Sequence, residues 1–168
     1  MDTPTSHRTF VSYIDKSREF YAAHGYETPY RWARHAEVPF RPLKGPLSTL
    51  RVGVVTTSTP PGDSPDAAPD TRPAKAPYAA AANPIPERLY TMDLSWDKEA
   101  THTRDVGSFV PLKPLADEVA RGRVGGASPR FYGVPTEYSQ RTTREHDAPA
   151  VLEFLRADGV EAAILVPL

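Results

Sequence analysis

Cysteine is missing altogether: none of the 168 residues carries a thiol. That absence excludes disulfides, thiolate metal sites and a cysteine nucleophile within these residues. A charge excess is also missing, since 20 Lys plus Arg stand against 21 Asp plus Glu for a formal net charge of -1. No global field draws the chain to nucleic acid or to an anionic membrane, so neither is expected as a partner. Long apolar runs are lacking too. The longest, residues 79–82 and 162–168, fall far short of the roughly 20 residues needed to cross a bilayer. Residues 1–14 show no apolar core and no small-residue cleavage pattern of a secretory signal, which predicts a cytoplasmic protein. Gly122 to Gly126 follows a helical pattern rather than joining a strand to a helix, so it is a turn and not a phosphate cradle. A Gly-x-Ser-x-Gly elbow and a basic groove with interleaved aromatics are likewise absent.

Proline, in contrast, is abundant at 19 of 168, about twice the usual roughly 5%. Hydrophobic residues make up 39% of the chain. A folded core joined by extended connections is therefore expected, and the length suits one domain. Phe10, Tyr13, Ile14, Phe20 and Tyr21 fall at helical spacing, with Thr9 or Ser12 as cap and Gly25 at the far end, predicting an N-terminal helix. Tyr26, Tyr30, Trp32 and Phe40 follow, set between prolines. They read as an extended aromatic arm that docks either on the body or on a partner.

Residues 50–55, Leu-Arg-Val-Gly-Val-Val, predict the first strand. Pro60, Pro61, Pro65, Pro69, Pro73, Pro77, Pro84 and Pro86 come next among Ala and Asp, so residues 59–87 read as a long flexible insertion. Alternation over residues 88–95 predicts a second strand at an edge, and residues 130–134 a third. Pro114 in a first turn and Gly122 after it bracket a short helix over 114–121. Gly125-Gly126 is expected to be a turn, and residues 139–146 polar and irregular. Residues 148–157 give the best helix, with Asp147 as cap and Gly159 beyond it. The apolar run 160–166 after it predicts a central parallel strand covered on both faces. The fold class expected is thus α/β: a three-layer, mostly parallel sheet with flanking helices, an N-terminal helix and aromatic arm, and a long Pro-rich insertion.

In open parallel sheets ligands bind at the carboxyl ends of the strands. Thr56 and Thr57 stand at such an end and are candidates to hold a substrate carboxylate, or simply to cap a loop. His102 and Asp105 are candidates to orient a proton donor, or a solvated pair. Arg141 is a candidate carboxylate clamp, or a surface residue. The histidines are too scattered for a metal site, and none is expected.

Three stretches in the last third of the chain, Arg-Phe-Tyr-Gly-Val-Pro-Thr from Arg130, Ser-Gln-Arg-Thr-Thr from Ser139 and Ala-Asp-Gly-Val-Glu-Ala-Ala-Ile-Leu-Val-Pro from Ala157, resemble the glycine/sarcosine/betaine reductase component B and D-proline reductase family. Tyr13-Ile14-Asp15, Pro29-Tyr30-Arg31-Trp32-Ala33, Val38-Pro39-Phe40, the stretch Arg-Val-Gly-Val-Val-Thr-Thr from Arg51 and Phe109-Val110-Pro111-Leu112 resemble its shorter members. The resemblance thus covers most of the chain outside the Pro-rich segment. It implies an oxidoreductase that cleaves a carbon–nitrogen bond reductively with a disulfide as acceptor, acting on a small amino acid or amine. In that family the strand matching residues 162–166 is followed at once by a Cys-x-x-Cys or selenocysteine-x-x-Cys motif. No residue here matches it, so the chain is expected to be an incomplete domain, cut where a UGA codon for selenocysteine was translated as a stop. The nucleophile is then expected beyond Leu168, with selenium as selenocysteine in the full-length protein, no cofactor in this chain, and no activity of the chain alone. Other reductase subunits or a homo-oligomer are the partners implied. The alternative is a non-catalytic interaction subunit of an oxidoreductase-like complex, binding through the aromatic arm and the last strand.

Overall fold

The computed structural model describes residues 12–28, 33–38, 40–62, 75–91, 102–134, 136 and 139–168. Two compact units divide at residues 36 and 37. The first contains helix α1, Tyr13–Ala23. Ser12 caps it, its hydroxyl accepting from the Asp15 N–H at 3.2 Å and donating to the Asp15 carboxylate at 2.7 Å. Gly25 closes it at φ +86°, bonded back to Ala22, as the sequence predicts. Of the aromatic arm, Tyr30 and Trp32 lie outside the described residues. The described part forms no regular element, and Tyr26 and Phe40 stand exposed rather than docked in a core.

The second unit is an open α/β sheet of five strands, mostly parallel, with helices packed on it. Strand β1, Arg51–Thr56, is its axis. On one side lie β3, Gly126–Ala127, and β4, Arg130–Gly133, both parallel to β1 and separated by a two-residue step at Ser128-Pro129. Strand β2, Tyr78–Ala81, continues that side antiparallel to β4. On the other side β5, Ala162–Val166, pairs with β1 along its length, Val52 opposite Ala162 through Thr56 opposite Val166.

Alternation along β1 splits its side chains between two faces. Val52 and Val54 join Phe131 of β4, Leu89, Val106, Val110, and Leu112 and Leu115 of helix α2, Leu112–Ala120, in the main core. Gly53 points the other way. A Cβ there would meet Leu155 of helix α4, Ala148–Ala157, and the Tyr132 ring at 3.2 Å, so glycine lets α4 pack close to the sheet. Chain order β4, helix, β5 is a βαβ crossover that passes over β1.

Several expectations are corrected. The strand expected over 88–95 does not form at 88–91, where Leu89 and Thr91 are buried in irregular chain; residues 92–95 lie outside the described set. The sheet instead recruits Tyr78–Ala81 from within the segment read as an insertion, of which residues 63–74 lie outside the described set. Small Ala side chains suit the close pairing with β4, and Tyr78 anchors the strand by donating to Thr59 O at 3.1 Å. Its ring lies over Gly133, where any Cβ would come within 2.1 Å of it. Gly126 is in a strand, not a turn, because Gly125 lets the chain run 2.6 Å, measured from a would-be Cβ, from the Thr49 backbone. Residues 139–147 are helical: Ser139 caps α3, Gln140–Thr142, and a π turn, Thr143–Asp147, carries the helix straight into α4. Asp147 therefore sits inside a helix with αR dihedrals and makes no cap bond. Finally, among the described residues β5 lies at an edge of the sheet and not at its centre. Among them only β1 pairs with it, Ile164 is 40% exposed and Leu165 73% exposed. An uninterrupted apolar run tells that both faces are apolar, but not whether a second strand lies alongside.

Candidate functional site

The carboxyl ends of β1 and β5, Val134 just past β4, and the flank of α4 enclose a groove of about 740 Å³. The order of elements dictates this. Parallel strands finish together, and α4 lies over one face, so its first turns leave a crevice above the strand ends. Val55, Val151, Leu152, Leu155, Leu165 and Val166 make most of its wall. Thr143 and Asp147, the two ends of the π turn, also reach it. Turns of this kind widen a helix locally and recur at functional sites.

Polar groups in the groove are few. The Thr57 hydroxyl accepts from the Leu168 N–H at 2.8 Å and donates to Leu168 O at 3.4 Å, fixing the backbone that follows β5 over the groove's edge. The Thr56 side chain turns to the opposite, buried face, where its hydroxyl accepts from the Ser58 N–H at 3.2 Å. The Thr136 hydroxyl is buried and has no hydrogen-bond partner among the described residues. Its own carbonyl accepts from the Lys75 ammonium at 2.5 Å. Asp147 is buried at 6% exposure.

Of the residues singled out from the sequence, Thr56 and Thr57 border this groove, Thr56 with its side chain turned away from it, and both hydroxyls are engaged with the protein's own backbone. His102, Asp105 and Arg141 do not line it. His102 is exposed. Asp105 caps the 3-10 turn Val106–Ser108, accepting from the Gly107 N–H at 2.9 Å. Arg141 is exposed on α3. Among the described residues no group of three or more acidic, His or Cys side chains is placed to hold a metal. Nor is any helix among them long and apolar enough to cross a membrane. Thr136, Thr143 and Asp147 were not legible as site residues. Only Ser139, a helix cap before a polar stretch, signalled that a helix begins early enough to bring two of them here.

A second polar cluster lies by the amino-terminal end of β1. Asp158, just past α4, receives Arg130 through two bonds of 2.8 and 3.0 Å, and the Tyr132 hydroxyl at 2.5 Å. Ser128 and the Tyr132 hydroxyl are 2.7 Å apart, and Arg51 donates to Asp158 O at 2.7 Å. Bonding to Arg130 holds the Asp158 carboxyl below its usual range, while burial, followed by the bond to Asp158, pushes Tyr132 up to about 12. The Asp158 carboxylate accepts from both Arg130 and Tyr132, and with the Arg51 bond to the Asp158 carbonyl the clasp fixes the α4–β5 turn to the sheet.

Comparison with protein-family models, with curated proteins and with solved structures yields no match.

Proposed function

We propose that the chain is the substrate-holding part of a glycine/betaine/D-proline reductase-like oxidoreductase of the cytoplasm, three-layered about its sheet, and that the groove at the strand ends is where the amine lies. The observation that supports this reading is the pair of hydrogen bonds between the Thr57 hydroxyl and the Leu168 backbone, which presents whatever follows β5 at the groove's edge. The sequence resemblance expects a selenocysteine or cysteine at that point. A selenol there would be ionised at neutral pH and so be the nucleophile, whereas an unperturbed thiol, with a pKa of about 8.5, would be ionised only in small part. In the net reaction the carbon–nitrogen bond breaks, the carbon gains a hydrogen, nitrogen leaves as amine or ammonium, and a dithiol supplies both electrons and ends as a disulfide. Thr57 positions the segment, and the Val and Leu walls exclude water. His102, Asp105 and Arg141 are not among the residues that line the groove, and the reading assigns them no step.

The test is the reading frame after Leu168. An in-frame selenocysteine or cysteine codon with a second cysteine close by is expected, and the chain extended through it should release amine from substrate with dithiothreitol as reductant, whereas the 168 residues alone should not. A true stop followed by unrelated sequence overturns the reading. It would favour the other one, a non-catalytic interaction subunit, for which the exposed apolar strand β5 speaks.

A further inference from the structure

We infer that the groove takes an amine with an apolar body and no carboxylate, such as an alkylamine or arylalkylamine, rather than a small zwitterionic amino acid. This rests on the groove being the substrate site and narrows what it accepts. Size is the first argument. A space of about 740 Å³ lies well within the roughly 300–1,000 Å³ of ligand sites and is far larger than a few-atom amine fills. Chemistry is the second, because the walls from Val55, Val151, Leu152, Leu155 and Leu165 reward hydrocarbon and nothing else.

Charge is the third. Among the described residues lining the groove, no side chain is cationic and Asp147 is the ionisable one. Lys75 is not among the lining residues; its ammonium lies outside the groove and donates to the carbonyl of Thr136. The helix that walls the groove offers no free amide to an anion either, since α4 continues from the π turn and the Ala148 N–H is bonded to Thr143 O. A carboxylate entering here would give up hydration beside Asp147 with no cation in the lining, whereas an alkylamine enters as its ammonium and meets the one charge of the sign that suits it. A single hydrogen-bonding head is provided for by the buried, unpartnered Thr136 hydroxyl.

Isothermal titration calorimetry on the full chain with n-butylamine, n-octylamine and octanoate tests this without any turnover. Octylamine is expected to bind more tightly than butylamine, with up to roughly fourfold gained per buried methylene. Octanoate is expected to bind at least about tenfold more weakly than octylamine. The exposed wall variants Leu152→Gln and Leu165→Gln, each expected to fold, should weaken octylamine several-fold, and Thr136→Val should weaken it without altering the chain-length trend. Octanoate binding as well as octylamine, no gain with chain length, or wall variants with unchanged affinity would each overturn the inference. The two readings fail separately. An extended chain that reduces only small amines, with no benefit from an alkyl body, sinks this inference and leaves the reductase. Octylamine seated in the groove of a chain whose extension reduces no amine sinks the reductase and leaves the binding site.

Discussion

The two ends of the same sheet are built on opposite principles. At the amino-terminal end of β1, Arg51, Ser128, Arg130, Tyr132 and Asp158 satisfy one another in a dense polar clasp. At the carboxyl end a large apolar groove is left open, with one buried hydroxyl unpartnered and a leucine 73% exposed. A clasp whose carboxylate and phenol are bonded to one another and to Arg130 is committed chiefly to the fold. A groove with unspent apolar surface and an unspent hydroxyl contributes less to the fold and more to binding. If the groove is the ligand site proposed above, stability and ligand recognition fall to opposite ends of the sheet, and substitutions at the two ends should behave differently.

Asp158→Ala should show the largest effect. It removes the acceptor of two Arg130 bonds and of the Tyr132 hydroxyl, and leaves that hydroxyl buried with only Ser128. Loss of a partly buried charged network of this kind costs about 2–4 kcal/mol. Urea denaturation should show a lower midpoint with an unchanged slope. A midpoint at the wild-type value would mean that solvent replaces the clasp without cost and that the contrast between the ends is false. Acid should act in the same direction. Because Arg130 lowers the Asp158 pKa in the folded protein, its contribution is complete above the ordinary carboxylate value and fades as pH falls through the lowered one.

Tyr132 gives the next effect, at the other end of the pH scale. Its folded pKa of about 12 lies above the ordinary value of 10.0, so the protein holds the phenol proton more tightly than the unfolded chain does. Stability should be unaffected below pH 10 and should fall as pH rises from there towards 12. Tyr132→Phe, which costs about 1 kcal/mol for the lost bonds at neutral pH, should flatten that alkaline slope. An equally steep slope in the variant would assign the alkaline loss to other groups.

What could be read in advance follows the same division. β1, α2, β4 and α4 were legible because each is local: a β-rich run, or an apolar stripe between a proline and a glycine. The clasp was not legible, since it joins Arg51 to Asp158 across 107 positions and no spacing rule connects them. β2 was missed because Tyr78–Ala81 lies in a Pro- and Ala-rich segment, and only its pairing with β4 makes it a strand. β5 was recognised as a strand but given the wrong place, since an apolar run records its own faces and not its neighbours. The carboxyl-end location of the groove and Thr57 within it followed from the parallel sheet. Thr136, Thr143 and Asp147 did not, because the π turn that brings two of them in reads as a polar loop.

The smallest expected effect is the one that most sharpens the contrast. Leu165 and Leu152 are 73% and 44% exposed, so converting either to Gln removes little apolar contact within the fold. Such surface changes alter stability by no more than about 0.5 kcal/mol. Their thermal midpoints should lie near that of the parent chain, while both lower affinity for an apolar amine. If Leu165→Gln instead unfolded the protein as Asp158→Ala is expected to, the groove wall would be part of what holds β5 on β1, and the carboxyl end would be core rather than site. A near-silent melt with weakened octylamine binding is the outcome that separates the two ends, because only a surface kept free of structural duty can lose a side chain without loss of fold.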